Sequence, residues 1–238
     1  MLTRWKRILL GVGIGMGLLV GSVLVLTQTL GEHQPLYQGQ TYYYWLEQVR
    51  SSDSATSNHA VVVFQTVVIP QLTDQMLHDT DDSNLRLSLI DVLNGLPGIT
   101  IYYAPAGSRR AGAVGELGQL GPLAKQALPQ LVQALKGKDE AVRGPAARAL
   151  GQIRSDPEKV IPVLMSCLDD PQDGVPEGAV AGLGCFGELA RDALPKLREL
   201  AKVPDKDLQA EVSMALKKIA PDANGTNSTA VLNSGHAR

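Results

Sequence analysis

The side chains that could carry out chemistry are few and scattered along the chain. There are four histidines and two cysteines, and no histidine lies within residues 108–220. His78 is followed by Asp79, Asp81 and Asp82, which together could be taken for a metal-ligand cluster. An acidic turn between two helices explains the same residues without a metal. We therefore expect no metal ligand and no cofactor.

Sequence patterns of known catalytic mechanisms are missing. The chain has no GxSxG, Walker, HExxH or EF-hand pattern, and neither His59 nor His78 has a recognisable Ser or Cys nucleophile beside it. Twenty-two basic residues against 24 acidic ones give a formal net charge of −2. Nucleic-acid binders need a basic surface to neutralise phosphates. The sequence thus predicts a protein that is not an enzyme and does not bind nucleic acid.

The amino-terminal region contains a candidate membrane anchor. Residues 8–26 are 19 residues without a charge, which span roughly 28 Å as a helix and nearly match a bilayer core of about 30 Å. Arg4, Lys6 and Arg7 precede this run, and the next basic residue is Arg50. The positive-inside rule then predicts a single-pass signal-anchor at 8–27 in the cell membrane, with residues 1–7 cytoplasmic and the rest extracytoplasmic. A cleaved signal peptide is the alternative, although its apolar region usually covers only about 7–15 residues.

Two further features depend on this topology. Gly13 and Gly17 have the GxxxG spacing that packs two membrane helices together, so a homodimer through the anchor is a candidate assembly. Cys167 and Cys185 would lie in an oxidising compartment and could form one disulfide. Both occupy apolar or helix-facing positions, where a buried thiol behaves as a small hydrophobic residue. Two free thiols are therefore favoured over a disulfide.

An internal repeat of 33 residues predicts the helices of the chain. Leucine recurs at this interval in four places, the first three followed by glycine, and a Leu-Pro or Ile-Pro pair recurs in three. Each unit is predicted to contain two helices, because Val142, Ala146, Ala149, Leu150 and Ile153 lie on one helical face. One such pair cannot bury its apolar face alone, so neighbouring units must stack. The repeated positions are Leu117, Leu150, Leu183 and Leu216, and Pro129, Pro162 and Pro195.

Residues 117–153 read LGQLGPLAKQALPQLVQALKGKDEAVRGPAARALGQI, which resembles the HEAT-like repeat family. The resemblance implies an all-α fold, a short right-handed α-solenoid of HEAT-like helical hairpins behind one transmembrane helix. Some helical-repeat enzymes of this class hold a di-iron centre through His-Glu pairs, but this chain contains no His-Glu pair. Another branch of the family comprises phycobilin lyase-like enzymes. By this family association alone, a lyase-like enzyme is an alternative function.

The repeat also predicts how the chain is divided. Residues 37–50 resemble a short opening segment in which Thr41 caps a helix, and Trp45 and Leu46 cover the open end of the first repeat. Residues 94–108 are predicted to form a packed loop, which is also a candidate contact site. The predicted divisions are a cytoplasmic stub (1–7), the anchor (8–27), a linker and capping helix (28–55), a degenerate repeat with the packed loop (56–107), regular repeats (108–220) and a disordered tail (221–238).

A binding surface is predicted where the second helices of successive units share one face. The positions there that vary between units could recognise a protein or peptide partner, although the same face could be merely solvated. The predicted function is a membrane-anchored, non-catalytic protein-protein interaction scaffold, and a structural role in an envelope assembly is the other alternative. The candidate protein-binding residues are Gln130, Gln133, Val163, Ser166, Lys196 and Glu199.

Overall fold

The structure is a computed structural model that describes residues 36–80 and 82–221 of the 238-residue chain. The predicted cytoplasmic stub, the anchor with its dimer, and the tail beyond Pro221 lie outside the described residues. By their internal contacts the described residues form two compact units. The larger one comprises Leu36–Asp79 and the chain from Ala106 onward, and the smaller one contains Thr80–Pro105.

The described chain is helical apart from one short antiparallel hairpin, in which Leu36 lies opposite Thr41. The all-α fold predicted from the sequence is therefore confirmed. The elements are β1 (Leu36–Tyr37), β2 (Gln40–Thr41), α1 (Tyr42–Val49), α2 (Ser54–Val63), α3 (Ile69–His78), α4 (Asn84–Asn94), α5 (Ala106–Gln119), α6 (Leu128–Leu135), α7 (Glu140–Ile153), α8 (Pro157–Ser166), α9 (Val175–Phe186), α10 (Leu194–Leu200) and α11 (Lys206–Ile219).

The amino-terminal opening of the larger unit is a structural cap. The Thr41 side chain accepts a hydrogen bond from the Tyr44 backbone N–H and so caps α1. Trp45 is buried, and its indole N–H donates to the Tyr37 carbonyl over 2.7 Å. The Tyr42 ring packs edge-on against Phe64 of the following helical segment, with ring centroids 5.8 Å apart. These contacts place the hairpin and α1 against the amino-terminal end of the core.

The segment Ser54–His78 differs from the degenerate helical hairpin expected there. The Ile69-Pro70 pair does not open a separate helix, because α2 continues into α3 through a π-helical turn at Phe64–Val68. A π turn shifts the hydrogen-bonding register locally, so Pro70 can follow it without breaking the helix. Among the described residues, Ser54–His78 is also the one helix long and apolar enough to cross a bilayer. Its buried residues belong to the core of the larger unit.

The regular part of the larger unit is a stack of helical hairpins at the predicted 33-residue interval. The first helices are α5, α7, α9 and α11, and the second helices are α6, α8 and α10. In the first and third units a 3₁₀ segment (Gly121–Ala127 and Gly187–Ala193) leads into the Leu-Pro pair, and the second helix begins at that leucine. The predicted α-solenoid of helical hairpins is thereby confirmed.

The middle unit departs from this arrangement. The other second helices begin at the residue before the repeated proline, but α8 begins at Pro157 and encloses Pro162. All three units have left-handed backbone where the first helix ends, at Gly121, Arg154 and Gly187, and in the middle unit a second left-handed residue, Asp156 (φ 49°), precedes α8 in place of a 3₁₀ segment. Because Pro157 occupies the first helical position, where its missing N–H would be unpaired anyway, the helix starts four residues before Ile161, the position equivalent to Leu128 and Leu194.

The first helices approach one another along a seam of small residues. Gly118, Gly151 and Gly184 recur every 33 residues, and they face Ala149, Gly182 and Ala215 of the next first helix. A Cβ atom on Gly118 would lie 3.2 Å from the Ala149 Cα, and one on Gly184 would lie 3.2 Å from the Ala215 Cα. A Cβ on Gly151 would overlap the Gly182 backbone. The absence of side chains therefore sets how closely α7 and α9 pack.

The smaller unit consists of α4 and the loop that follows it. Ile90 and Leu93 of α4 pack with Ile101 of the loop in a small core of their own. The Asn94 side chain accepts from the Ile101 N–H over 2.6 Å and donates to the Ile101 carbonyl. The Arg86 guanidinium lies over the Tyr103 ring, 5.0 Å from its centroid. The segment 95–105 of the predicted loop therefore packs against α4 within this unit, whereas residues 106–108 belong to α5.

Candidate binding surface

The six predicted binding residues all lie on second helices. They form three pairs, each one helical turn apart on its helix: Gln130 and Gln133 on α6, Val163 and Ser166 on α8, and Lys196 and Glu199 on α10. The first member of each pair is half-buried and the second is exposed. We call the surface carrying α6, α8 and α10 the second-helix face. Whether these residues bind a partner stays a prediction.

The second-helix face carries a groove of about 600 Å³ between α6 and α8. Its walls are mostly apolar, and they contain Val163 from the predicted set. An apolar depression with a few polar groups at its edge is the usual form of a ligand site. We call it the α6–α8 groove; it is lined by Lys125, Gln126, Leu128, Pro129, Val132, Asp156, Lys159, Val160 and Val163.

The polar edge of the α6–α8 groove is an ion pair between the first two units. The Lys125 ammonium lies 2.7 Å from a carboxylate oxygen of Asp156. The hydrogen bond from Lys125 lowers the pKa of Asp156, and the same bond raises the pKa of Lys125. Both groups therefore stay ionised around neutral pH. Lys159, one turn further along α8, brings a second cation to the same edge.

A second groove, of about 460 Å³, lies between α3 and α6 and contains Gln130 from the predicted set. The side-chain oxygen of Gln130 is buried and has no hydrogen-bond partner. The neighbouring Gln126 side chain donates to the Gln65 carbonyl over 2.7 Å and ties the first unit to α2–α3. His78 and Asp74 line the outer part of this groove and are hydrogen-bonded to each other over 2.8 Å.

The remaining predicted residues are less well placed for a ligand. The Lys196 ammonium lies 2.5 Å from Asp169 and 3.7 Å from Glu199. The hydrogen bond with Asp169 is the main cause of the raised pKa of Lys196. The charges of Lys196 and Glu199 are thus directed at neighbouring side chains. Gln133 and Ser166 are exposed and lie outside the linings of both the α6–α8 groove and the groove between α3 and α6.

Four arginines join different parts of the helical stack by ion pairs. Arg110 bonds to Asp139 over 2.6 Å and also donates to the Asp79 carbonyl. Arg143, 33 residues later, bonds to Asp170 and donates to the Leu135 carbonyl over 3.1 Å. Arg109 pairs with Asp79, and Arg148 of α7 pairs with Glu211 of α11.

Three ionisable side chains whose pKa is raised by burial, Glu116, Tyr37 and Tyr42, lie under the amino-terminal cap, away from these grooves. Burial raises the pKa of Glu116, and one of its carboxylate oxygens is buried without a hydrogen-bond partner. Burial, and then the charge of Glu116, raises the pKa of Tyr37 to about 12. The same causes raise the pKa of Tyr42, whose hydroxyl donates to the backbone carbonyl of Glu116 over 3.3 Å. These groups touch the cap and line neither of the two grooves on the second-helix side.

Both cysteines are free thiols, as favoured from the sequence. Cys167 is buried, and burial raises the pKa of its thiol. Cys185 is half-buried and lines a small groove of about 270 Å³ on the first-helix side, together with Arg148 and Glu211. Within residues 36–80 and 82–221, no three His, Cys, Asp or Glu side chains group closely enough to hold a metal ion.

Most of the α6–α8 groove was not predicted from the sequence. Val163 was named, whereas Pro129, Val132, Asp156 and Lys159 were not. The available signal was the Asp156-Pro157 pair, which places a helix start five residues before the repeated proline and thereby adds a helical turn to one wall. The repeat itself obscured this signal, because Pro162 occupies the position where the other units begin their second helix.

Comparison with known proteins supports the repeat assignment. Residues 104–184 match the family described as HEAT repeats, so the predicted resemblance is confirmed over that range. A search of curated proteins found no match.

Solved structures of three helical proteins are similar to the chain. The complex of CpcE and CpcF of phycocyanin lyase from Nostoc sp. PCC7120 has 21% identity and a TM-score of 0.48, over 81% of this chain and 69% of that chain. The designed armadillo repeat protein YIII(Dq)4CqI has 17% identity and a TM-score of 0.41, over 84% and 92%. An engineered protein has 18% identity and a TM-score of 0.39, over 74% and 95%. Similarities at this level carry no inference about function.

Proposed function

We propose that this HEAT-repeat scaffold is anchored in the cell membrane and holds an extended segment of a partner protein in the α6–α8 groove, without catalysing a reaction. The observation that carries the proposal is the groove itself, an apolar depression of about 600 Å³ on the second-helix face. Stacked helical repeats offer extended surfaces of this kind to peptides and proteins. The partner's apolar side chains would occupy the valine-lined floor.

The chemistry of the groove favours binding over catalysis. Its lining contains no cysteine or serine to act as an activated nucleophile and no histidine to act as the base, and Asp156 raises the pKa of Lys125 and keeps that amine protonated. Its one carboxylate, Asp156, is held ionised by Lys125. An ionised carboxylate that is already paired is a poor general base near neutral pH, because its pKa lies far below the operating pH. The same ion pair is suited to hydrogen bonding with a peptide backbone at the edge of the groove.

The membrane part of the proposal rests on the amino-terminal sequence. The apolar run at 8–26 and the basic residues before it support a single-pass anchor, with the repeats outside the cytoplasm. Deletion of residues 1–27 should release the chain from the membrane fraction. Mass measurement of the full-length product separates an anchor from a cleaved signal peptide, since cleavage would remove the apolar run.

A dimer through the anchor is a further part of the proposal. Replacement of Gly13 and Gly17 by leucine would block close packing of two such helices. If crosslinking in the membrane gives a dimer that these two changes abolish, the assembly forms through the anchor. If the dimer survives both changes, it forms elsewhere, and if no dimer is seen the scaffold acts as a single chain.

The groove can be tested with a photoactivatable amino acid at Lys159 in the full-length chain, in intact cells. We expect one protein to be crosslinked, and we expect Pro129→Glu to abolish that adduct. Pro129 is exposed and lies in the first turn of α6, where a carboxylate is favoured by the helix dipole, so this change places a charge in the groove at little cost to folding.

The matched control is Pro195→Glu. Pro195 occupies the equivalent position 66 residues later, in the first turn of α10, and does not line the groove. The adduct should survive this change. If both variants lose it, the effect is a general one of charge on the second-helix face. If neither loses it, or if no adduct forms, the α6–α8 groove is not the binding site.

A further inference from the structure

The smaller unit leaves an unusual amount of apolar surface uncovered. Thirteen large hydrophobic side chains are exposed among the described residues, and six of them lie within Thr80–Pro105. Leu85, Leu89 and Val92 have the spacing i, i+4 and i+7, which places them on one line along α4, and Leu96 follows in the turn after the helix. We call these four residues the α4 stripe. Their exposed fractions are 73%, 40%, 66% and 46%.

The α4 stripe is separate from the small core of this unit. Ile90 and Leu93 face that core and are buried, so the stripe lies beside them on the same apolar side of the helix. Ser88 and Asp91 lie on the opposite side. The helix therefore has an apolar sector wider than its own loop covers, and this is the pattern of a helix that lies on a second apolar phase.

The segment that carries the stripe is an insertion in the sequence between two parts of the larger unit. It leaves the larger unit at Asp79 and returns at Ala106. Arg109 donates two hydrogen bonds to the Asp79 carboxylate, at 2.8 and 2.9 Å, and Arg110 donates to the Asp79 carbonyl over 2.8 Å.

We infer that the α4 stripe inserts into the lipid surface of the membrane in which the chain is anchored. This inference rests on the membrane part of the proposed function. The stripe contains only aliphatic side chains and offers no hydrogen-bonding group that would fix the register of a protein partner. A bilayer surface needs no such register. Tyr102, 80% exposed in the adjoining loop, is of the type enriched at membrane interfaces.

The linker after the predicted anchor is long enough for the α4 stripe to contact the same membrane. Eight residues, 28–35, join the predicted anchor to β1, which allows at most about 27 Å from the bilayer. From Phe64, which packs against the hairpin cap, to Asp79 at the base of the insertion is about 22 Å along the helix axis. The anchor thus holds the insertion at a high effective concentration near lipid, where a weak apolar contact suffices.

The charge of the insertion selects the kind of lipid surface. Residues 80–105 contain three aspartates and one arginine, a net charge of −2. An anionic surface would repel this segment, and basic residues typical of helices that bind such surfaces are missing. The contact is therefore apolar, and it is directed at a neutral phospholipid surface. Its strength should change little with salt concentration.

The test places an environment-sensitive fluorescent amino acid at Leu89 in the full-length chain, reconstituted in phosphatidylcholine vesicles with or without brominated acyl chains. We expect brominated lipid to quench the fluorophore at 89. The matched control has the fluorophore at Met214, an exposed apolar residue of α11 with an exposed fraction of 49%, where we expect no quenching. Leu85→Ser with Val92→Ser should reduce the quenching at 89.

The outcomes separate this inference from the proposed function. Vesicle flotation reports the anchor: if the chain does not float, the proposed anchor fails and the lipid contact fails with it. If the chain floats but brominated lipid does not quench the fluorophore at 89, the lipid contact alone is refuted. If the signal at 89 instead changes with protein density at constant lipid, a second copy covers the stripe and the inference is also refuted.

Discussion

The glycine seam between α7 and α9 offers the sharpest test of how the repeats pack. We expect Gly151→Ala to destabilise the protein, although the same change in an open helix is stabilising. A Cβ atom on Gly151 would lie within 3.0 Å of the Cα, carbonyl carbon and oxygen of Gly182. These are backbone atoms, so no side-chain rotation can relieve the overlap, and the two helices must separate.

The expected change in the free energy of unfolding is the difference between two opposing contributions. Replacing glycine by alanine inside a helix gains about 1 kcal/mol through helix propensity. Overpacking a rigid interior contact costs about 1–3 kcal/mol, and the upper part of that range applies because backbone meets backbone. The net expectation for Gly151→Ala is a loss of about 1–2 kcal/mol. Gly115→Ala in α5, where a Cβ would meet nothing within 4 Å, should instead gain about 0.5–1 kcal/mol.

The assay is urea unfolding followed by circular dichroism, with midpoints compared between the variants. Gly184→Ala supplies an intermediate case, because its Cβ would lie 3.2 Å from the Ala215 Cα and 3.3 Å from the Ala215 Cβ. We expect the midpoints to fall in the order Gly115→Ala, Gly184→Ala, Gly151→Ala. Equal midpoints for the Gly115 and Gly151 variants would refute the close approach of α7 and α9.

Three further predictions concern the cap and the links between units. Glu116→Gln should stabilise the protein by about 1 kcal/mol at pH 8, because a carboxylate oxygen is buried there without a partner. Burial raises the folded-state pKa of this acid, so the unfolded chain loses the proton at a lower pH than the folded protein does. The stability of the wild-type protein therefore falls as pH rises above about 4.5. In melts below pH 4 the wild-type protein and the Glu116→Gln variant should be equally stable. Arg143→Ala should cost about 2–3 kcal/mol in urea unfolding, since it leaves the half-buried Asp170 carboxylate without its cation; a change below 0.5 kcal/mol would mean that this ion pair is only a solvated surface pair. Trp45→Phe should cost about 1–2 kcal/mol in thermal melts, because it removes the buried 2.7 Å hydrogen bond to the Tyr37 carbonyl, and an unchanged midpoint would show that the hairpin does not hold the cap.

Much of the fold follows from the sequence because the repeat reports the same packing several times. A single column of leucines could arise by chance, but Leu150 and Leu183 recur together with the glycines after them and the prolines of the second helices. Each such column corresponds to one contact between neighbouring units. The 33-residue interval therefore predicted the hairpins, their stacking and the buried face together.

The structure departs from the prediction where one short sequence pattern is compatible with two backbone conformations. A Leu-Pro pair opens a new helix at Leu128 and Leu194, where the preceding residues form a 3₁₀ segment, but at Ile69 the preceding residues Phe64–Val68 form a π turn and the helix continues. Both solutions satisfy a proline that lacks an N–H. The choice is made by packing, because Phe64 and Val68 are completely buried in the core. Sequence patterns carry little information about that choice.

The candidate groove illustrates the same limitation at the proposed binding surface. The sequence indicated the second-helix face, on which the groove lies, because varying positions on second helices can be read from the repeat. It did not indicate the place on that face, because the groove depends on how α8 begins. The additional left-handed residue Asp156 precedes α8, which begins four residues before the position equivalent to Leu128 and Leu194, and the added turn supplies Lys159 and Val160 to the wall.

The irregular unit is therefore more informative about function than the regular ones. Left-handed backbone at a residue other than glycine costs roughly 1 kcal/mol or more, and this chain has it at two positions in one connection, Arg154 and Asp156. The other two units make the same connection with a glycine-initiated 3₁₀ segment and without that cost. Asp156 uses the strained conformation to meet Lys125 at the edge of the α6–α8 groove. Because a simpler connection was available in the same fold, the strain is better explained by the surface that it forms than by the stability of the stack.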